Sequence, residues 1–172
     1  MASEGRTRYG APVGGTEKDV LTGFLDYYRG LVVEIGAGLP RDRLVRSTVP
    51  SGTTLLGLVK HLTLVEDSWF SHRFGGESPR FPWDESDPNS DFRIEENEDA
   101  AGIIAAYNAE CERSRQAIAG ASLDDTARHP DYKGYTLRWI IVHMIEEAAR
   151  HCGHADIIRE QLDGRTGVGY DP

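Results

Sequence analysis

The residues best suited to chemistry in this sequence lie in one stretch near the C-terminus. Glu147 and His151 are four residues apart, so on an α-helix their side chains lie next to each other. His151 falls among the apolar residues of one helix face, such as Met144 and Ala148. A carboxylate and an imidazole that both face a core are costly to bury unless something pairs with them. A metal ion would satisfy both groups.

A third ligand for such an ion is available at His61, at the edge of the apolar face of an earlier predicted helix. Two histidines and one carboxylate would leave coordination positions open, as in catalytic metal sites. Zinc is the first choice for these donors; nickel, iron and manganese are alternatives, because a mixed nitrogen and oxygen set discriminates poorly among them. The spacing alone leaves another interpretation open, in which His151 is a core histidine paired only with Glu147.

Three further residues are candidates for the surroundings of this site. His143 and His154 flank the edge of the same helix face. His154 is the candidate for proton transfer or substrate contact, whereas packing or an indirect contact is favoured for His143. Trp69 lies on the same predicted helix as His61 and could form one wall of a substrate pocket.

Glu66 projects into the middle of the apolar face of the second predicted helix, where a solvated charge is not expected. One hypothesis is that it accepts a hydrogen bond from a ligating imidazole and so orients it. The alternative is a buried ion pair with an arginine such as Arg138 or Arg150.

The elements that carry these residues are four long helices, predicted from apolar residues at helical spacing. They run from a cap at Thr16 to Gly36, from Thr54 to about Phe74, from about Asp99 to Ile118, and from a cap at Thr136 to Gly164. No strand pattern occurs. We therefore expect an all-α four-helix bundle with long connections between helices 2 and 3 and between helices 3 and 4. The acidic first connection is long enough to be functional or to cover a site.

The chain is short enough for one domain. We expect a flexible lead-in at residues 1–15, rich in glycine, serine, arginine and proline, the bundle at residues 16–165, and a tail at 166–172. The two cysteines, Cys111 and Cys152, lie on separate predicted helices without metal-binding spacing, so free thiols are expected.

Composition excludes some classes of partner. The net charge is −9 and no stripe of lysine and arginine occurs, which argues against nucleic acid. No apolar run reaches the roughly 18 residues of a membrane helix, and the first residues lack the apolar segment of a signal peptide. A cytoplasmic protein that does not bind membranes is the expectation.

Three segments resemble the DinB-like superfamily. Residues 51–70 (SGTTLLGLVKHLTLVEDSWF) resemble its second helix, residues 107–115 (YNAECERSR) its third, and residues 143–160 (HMIEEAARHCGHADIIRE) its fourth. More narrowly, the second-helix segment resembles a subfamily long described as a domain of unknown function, related to mycothiol-dependent S-transferases and maleylpyruvate isomerases. The resemblance as a whole covers about residues 16–165.

The resemblance implies a four-helix bundle, often homodimeric, that holds a divalent metal with a triad. One ligand comes from the second helix and two from a pair spaced by four on the fourth, which here are His61, Glu147 and His151. Many members carry histidine at the position of Glu147. This sequence resembles instead the His-Glu-His version of the mycothiol-dependent maleylpyruvate isomerases. His154 stands where many relatives carry glutamine, so the resemblance implies a pocket residue there.

The activity that the resemblance implies is transfer of a low-molecular-weight thiol of the mycothiol type. The metal would activate the thiol for attack on an electrophile, so that thiol and electrophile are the expected small-molecule partners. Two alternatives stay open at this point. One is a non-catalytic bundle that binds metal or a small molecule, and the other is a metal-free dimerisation module.

Overall fold

The computed structural model describes residues 10–81 and 83–166, of which 61% are helical and none belongs to a strand. The all-α prediction is therefore confirmed for this part of the chain. Its five α-helices are Glu17–Ile35 (α1), Arg41–Leu44 (α2), Leu55–Glu66 (α3), Ala100–Ile118 (α4) and Leu137–Asp163 (α5). The sequence analysis missed the short α2.

The four long helices begin where the sequence predicts, because a side chain caps each of them. The capping oxygens belong to Thr16, Thr54, Asp99 and Thr136, and each accepts a hydrogen bond from the backbone N–H three residues later. These bonds satisfy donors that have no partner within the first helical turn. At the end of α5, Gly164 has a φ of 80°, the left-handed conformation that closes many helices.

The second predicted helix has the expected span but changes its geometry. Its α-helical part ends at Glu66, and Asp67–Phe74 continue as a π-helix. The backbone N–H of Gly75 donates to the carbonyl of Phe70, five residues earlier, at 2.9 Å. Because a π-helical turn holds more residues than an α-helical one, side chains beyond Glu66 do not follow the 3.6-residue period.

The packing of the helices brings α3 and α5 together. α1 lies along α5, α3 lies along α4, and α3 also contacts α5. Buried apolar residues form two clusters, one around Leu58, Leu62 and Ile158 and the other around Phe70 and Met144. Since both clusters contain residues of α5 and of the second predicted helix, polar side chains of these two helices can meet inside the protein.

The long connection between the π-helix and α4 is fastened to the helices. The carboxylate of Asp67 accepts hydrogen bonds from the backbone N–H groups of Arg80 and Phe81, at 2.8 and 3.2 Å. The guanidinium of Arg80 also pairs with the buried Glu110 of α4 at 2.6 Å. Further along, residues 90–92 form a 3₁₀ turn that packs against α3. The connection therefore covers α3.

This cover depends on a glycine in the first turn of α3. A Cβ atom on Gly57 would lie 2.4 Å from the carbonyl oxygen of Phe92, far closer than atoms can approach without a shift. On the next turn, Lys60 Nζ donates to the carbonyl of Arg93 at 2.8 Å. The 3₁₀ turn is thus held directly on the backbone of α3.

Part of the predicted lead-in at residues 1–15 contacts α1. Ala11 is 1% exposed, and Pro12 lies so close to Gly23 of α1 that a Cβ there would sit 2.3 Å from the proline ring. Residues 10–12 therefore lie against α1, whereas Val13 is 69% exposed. Residues 1–9 and most of the predicted tail, 167–172, lie outside the described residues. No helix in the described residues is both long and apolar enough to cross a membrane.

Candidate metal centre

Three of the predicted site residues meet between α3 and α5. His61 comes from α3, whereas Glu147 and His151 lie one turn apart on α5, and one ligand atom from each lies within 4.8 Å of the others. Glu147 Oε1 is 3.3 Å from His61 Nε2 and 3.2 Å from His151 Nε2. The i, i+4 spacing on α5 and the contact of α3 with α5 produce this cluster.

Two of the three donor separations in this cluster fit a single metal ion. Two donors bonded to one ion at about 2.0–2.2 Å lie roughly 3.0–3.5 Å apart for bond angles of about 90–110°. The separations of 3.3 and 3.2 Å between the carboxylate oxygen and the imidazole nitrogens fall in that range. Two imidazoles and one carboxylate are also donors that zinc and other divalent transition metals accept.

A loop carboxylate holds the other ring nitrogen of His61. His61 Nδ1 donates to Asp91 Oδ2 at 2.6 Å, and Asp91 is 3% exposed. The ring of Phe92 stacks on the imidazole at 4.1 Å with an angle of 14° between the planes. This arrangement turns Nε2 of His61 toward Glu147, and with a proton held on Nδ1 the lone pair of Nε2 would be available to a metal ion once Nε2 is deprotonated.

Sequence analysis did not find Asp91. The one signal available was that a long acidic connection often covers a site. That connection contains several aspartates and glutamates, and nothing in their spacing distinguishes Asp91 from Asp84 or Asp87. Its role becomes visible only when the 3₁₀ turn is seen against α3.

His154 lies beside His151, and its Nδ1 is 3.4 Å from Nδ1 of His151. Two ring nitrogens can share a hydrogen bond only if one of them carries a proton. Burial lowers the pKa of His154, and positive charge on His151 and Arg150 lowers it further. A neutral His154 can therefore accept a hydrogen bond from His151 Nδ1 when His151 Nε2 is used for binding.

The carboxylates make the centre favourable for positive charge. Hydrogen bonds from His151 and His61 hold the pKa of Glu147 well below its usual range, although partial burial opposes them. Burial acts to lower the pKa of His61, but hydrogen bonds to Glu147 and Asp91 raise it overall. The same two carboxylates would stabilise a divalent cation held between the imidazoles.

The structure corrects the hypothesis that Glu66 orients a ligating imidazole. Both of its carboxylate oxygens accept hydrogen bonds from the guanidinium of Arg29, at 2.8 and 2.6 Å, and both side chains are buried. The alternative of a buried ion pair is confirmed, but the partner is Arg29 of α1. Arg138 and Arg150, the two arginines expected from sequence, instead form exposed pairs with other carboxylates.

His143 does not join the cluster of three. Its ring stacks on Trp139 at 5.2 Å and lies 4.6 Å from the ring of Trp69. Its Nδ1 is 3.7 Å from a carboxylate oxygen of Glu146 on the same helix. These contacts place His143 in an aromatic cluster one turn before Glu147.

Trp69 forms part of the wall of a groove of about 410 Å³ beside the centre. The groove lies under the long connection, and Trp83 and Asp91 of that connection also line it. Since Asp91 also contacts His61, this side chain connects the wall of the groove to a candidate ligand.

A comparison with protein families shows to which family this chain belongs. The mycothiol S-transferase family matches residues 20–164, a range that contains His61, Glu147 and His151. The chain belongs to this family. It is a DinB-like family related to mycothiol-dependent enzymes, so the resemblance drawn from the three helical segments is confirmed. No curated protein matches the sequence at a significant level.

Membership of the mycothiol S-transferase family implies a thiol co-substrate and an electrophile. The protein's own thiols are poorly suited to that reaction. Cys111 and Cys152 are free, as expected, and both are buried. Burial raises the pKa of each to about 12, with negative charge on Glu66 and Asp156 respectively adding to the effect. Neither cysteine supplies an appreciable amount of thiolate at neutral pH.

Proposed function

We propose that this chain is a metal-dependent mycothiol S-transferase in which His61, Glu147 and His151 hold one divalent ion. The observation that carries the proposal is the convergence of these three side chains within 4.8 Å, inside the range matched by the family. Their chemistry and spacing suit one ion, and three protein donors leave positions open for a small ligand.

A divalent ion in this position would lower the pKa of a thiol that coordinates it, so that thiolate forms near neutral pH. The chain's own residues prepare the ligands. Asp91 holds the proton of His61 on Nδ1, and Phe92 fixes the plane of the ring by stacking. Ligands held in this way bind more tightly because little orientational freedom is lost on binding.

His154 is better suited to positioning His151 than to proton transfer. If its Nδ1 accepts a hydrogen bond from His151 Nδ1, the remaining ring nitrogen of His154 carries a proton. In that tautomer Nε2 can donate a hydrogen bond but cannot accept a proton. His154 was the catalytic candidate from sequence, and the geometry favours this supporting role instead.

Some features of the proposal rest on the family resemblance and on composition. The four long helices α1, α3, α4 and α5 would form the DinB-like four-helix bundle, in one domain covering about residues 16–165. Zinc is the first choice of metal. A homodimer and a cytoplasmic location complete the proposal.

Elemental mass spectrometry of untagged protein tests the metal part of the proposal. Wild type should contain about one divalent ion per chain, and His61→Ala and His151→Ala should each lose it. His129→Ala is the matched control, because His129 lies in a loop and belongs to a different ring cluster. Wild type that takes up no metal, even after incubation with Zn²⁺ or Ni²⁺, would overturn the proposal.

Transfer of mycothiol to a fluorogenic haloalkyl electrophile tests the catalytic part. Activity should follow metal content, falling in the two ligand variants and staying in His129→Ala. Protein that contains stoichiometric metal but transfers mycothiol to none of a panel of electrophiles would favour the non-catalytic alternative.

A further inference from the structure

We infer that a small pocket beside His154 binds the electrophile, and that this electrophile is a small, neutral α,β-unsaturated ketone or aldehyde. The inference rests on the proposed function, because it takes thiol transfer at the candidate metal centre as the reaction. The pocket lies between α5 and the segment that leads into α3, and its volume is about 230 Å³. Its described lining residues are Val49, Ser51, Thr53, His154, Ile157 and Ile158.

The His154 pocket begins within one helical turn of a candidate ligand. His154 follows His151 on α5 by three residues, a rise of about 4.5 Å along the helix, and the Nδ1 atoms of the two rings are 3.4 Å apart. The opposite wall, residues 49–53, leads directly into α3, the helix that carries His61. A molecule in the pocket therefore lies beside the same two helices that supply the three candidate ligands, at one end of the centre.

The volume of the His154 pocket suits a small molecule. An apolar protein cavity of about 150 Å³ binds benzene. A pocket of about 230 Å³ therefore accommodates a six-membered ring with a substituent. Pockets for larger ligands are typically about 300–1,000 Å³.

The walls of this pocket favour a neutral ligand. None of the six lining residues that the structure describes carries a carboxylate, an ammonium or a guanidinium group. Ile157 is 53% exposed and Val49 is half-buried, so both offer apolar surface that a ligand would remove from water. A charged molecule held against these side chains would lose hydration without meeting an opposite charge.

The polar atoms of the lining can donate hydrogen bonds to a ligand oxygen. Ser51 Oγ and Thr53 Oγ1 are 2.9 Å apart and share one hydroxyl hydrogen, which leaves the other hydroxyl hydrogen for a ligand. In the tautomer that accepts a hydrogen bond from His151, His154 carries its own proton on Nε2. The pocket thus combines apolar walls with donors, which suits an apolar molecule that carries one acceptor oxygen.

These donors favour an electrophile whose oxygen gains negative charge during the reaction. When a thiolate adds to an α,β-unsaturated ketone, the sulfur bonds to the β-carbon and the electron pair of the C=C bond moves toward the carbonyl, which gives an enolate. Water then protonates the α-carbon, and the proton that the thiol released to solvent balances the one taken up. An alkyl halide also reacts with thiolate, but it has no carbonyl oxygen for these donors.

Saturation-transfer difference NMR with cyclohexenone and EDTA-treated protein tests the binding without thiol or metal. We expect wild type to bind the ketone and Ile157→Ala to weaken binding by about 3- to 10-fold, because apolar contact is lost. The double variant Ser51→Ala/Thr53→Val lacks both hydroxyl groups and should weaken binding by about 2- to 10-fold. Val142→Ala is the matched control, because Val142 is 50% exposed on the same helix and does not line the pocket.

Steady-state transfer of mycothiol by the metal-loaded protein is the second measurement. Ile157→Ala should raise the KM for cyclohexenone by the same factor as it weakens binding, while metal content and the KM for mycothiol stay at wild-type values. Three results would each overturn the inference: no ketone binding by wild type, equal binding by Ile157→Ala and Val142→Ala, or transfer to alkyl halides of similar size but not to cyclohexenone. Failure of the proposed function has a different signature, because the ketone then still binds beside Ile157 but no electrophile receives the thiol.

Discussion

Asp91 Oδ2 lies 2.6 Å from His61 Nδ1, which ties a turn of the long acidic connection to a candidate metal ligand on α3. The two residues are thirty positions apart in the chain. Phe92 stacks on one face of the imidazole, and its two ring nitrogens face Asp91 and Glu147. The connection is therefore part of the centre as well as its cover.

Replacing Asp91 by asparagine should weaken metal binding without unfolding the protein. Asparagine can still accept the Nδ1 hydrogen bond, but the carboxylate that makes His61 more basic is gone. We expect a loss of about 10- to 100-fold in affinity, measured by competition with a chromophoric chelator. Asp87→Asn removes the same charge from the same connection, where Asp87 pairs with Arg93, and should leave the affinity unchanged. Equal affinities in wild type and Asp91→Asn would contradict this role.

Replacing Glu147 by histidine should retain the metal. An imidazole nitrogen binds the same divalent ions, and many DinB-like proteins resemble this variant in having histidine at that position. Elemental analysis and circular dichroism of Glu147→His are the measurements. Loss of both metal and helical structure would indicate that Glu147 serves as a structural partner of the two histidines rather than as a ligand.

Removing the Glu66 carboxylate should cost stability but not metal. Glu66→Ala would leave the buried guanidinium of Arg29 with Asp26 as its remaining carboxylate partner. We expect a loss in the free energy of unfolding near the lower end of about 3–5 kcal/mol. Glu112→Ala removes an exposed partner of Arg115. This change should alter the free energy of unfolding by less than about 1 kcal/mol.

The measurements for this prediction are urea denaturation and metal content. A Glu66→Ala protein that is as stable as wild type but has lost its metal would restore the hypothesis that Glu66 supports the centre. A less stable protein with the wild-type metal content agrees with the buried ion pair.

Replacing Gly57 by alanine should destabilise the protein although alanine is the better helix former. The new Cβ would lie 2.4 Å from the Phe92 carbonyl, so the 3₁₀ turn that carries Asp91 has to move. We expect a loss of about 1–3 kcal/mol in the free energy of unfolding together with weaker metal binding. Gly30→Ala on α1 meets no atom within 4 Å and should instead stabilise by about 0.5–1 kcal/mol.

Thermal or urea denaturation of these two alanine variants measures the contrast. If Gly57→Ala and Gly30→Ala are stabilised equally, the 3₁₀ turn does not depend on close contact with α3.

The native cysteines should resist alkylation. Burial raises the pKa of Cys111 and Cys152 to about 12, so at pH 8 only about one thiol in 10⁴ is ionised. Iodoacetamide, counted by intact-mass spectrometry, should label neither thiol in the folded protein and both after unfolding in guanidinium. Rapid labelling of one cysteine in the folded protein would show that its surroundings are open to solvent.

The same shifts affect stability at high pH. A thiol whose pKa is higher in the folded than in the unfolded state stabilises the fold fully below the unfolded value of 9.0. That stabilisation is lost as the pH rises from 9.0 to about 12, because only the unfolded chain releases the proton there. In the Cys111→Ser and Cys152→Ser variants the free energy of unfolding should therefore fall less between these pH values. Urea denaturation at several pH values measures this difference.

The sequence by itself determined the helices and the pairing of two candidate ligands. Caps such as Thr54 and Thr136 and the helical period are local features, since a helix closes hydrogen bonds over four residues. Glu147 and His151 become neighbours through the same local geometry. The sequence also offers His61 as a third candidate, which the family resemblance supports, but no local rule brings that residue next to α5.

Only the tertiary structure decided which distant side chains meet. Asp91 reaches His61 because the connection folds onto α3 at Gly57. Glu66 of α3 pairs with Arg29 of α1 across thirty-seven positions of the chain. The groove likewise depends on where the connection lies over the π-helix. Such contacts depend on how the helices and the connections between them pack against one another. The composition of a loop does not determine which of its carboxylates will be buried.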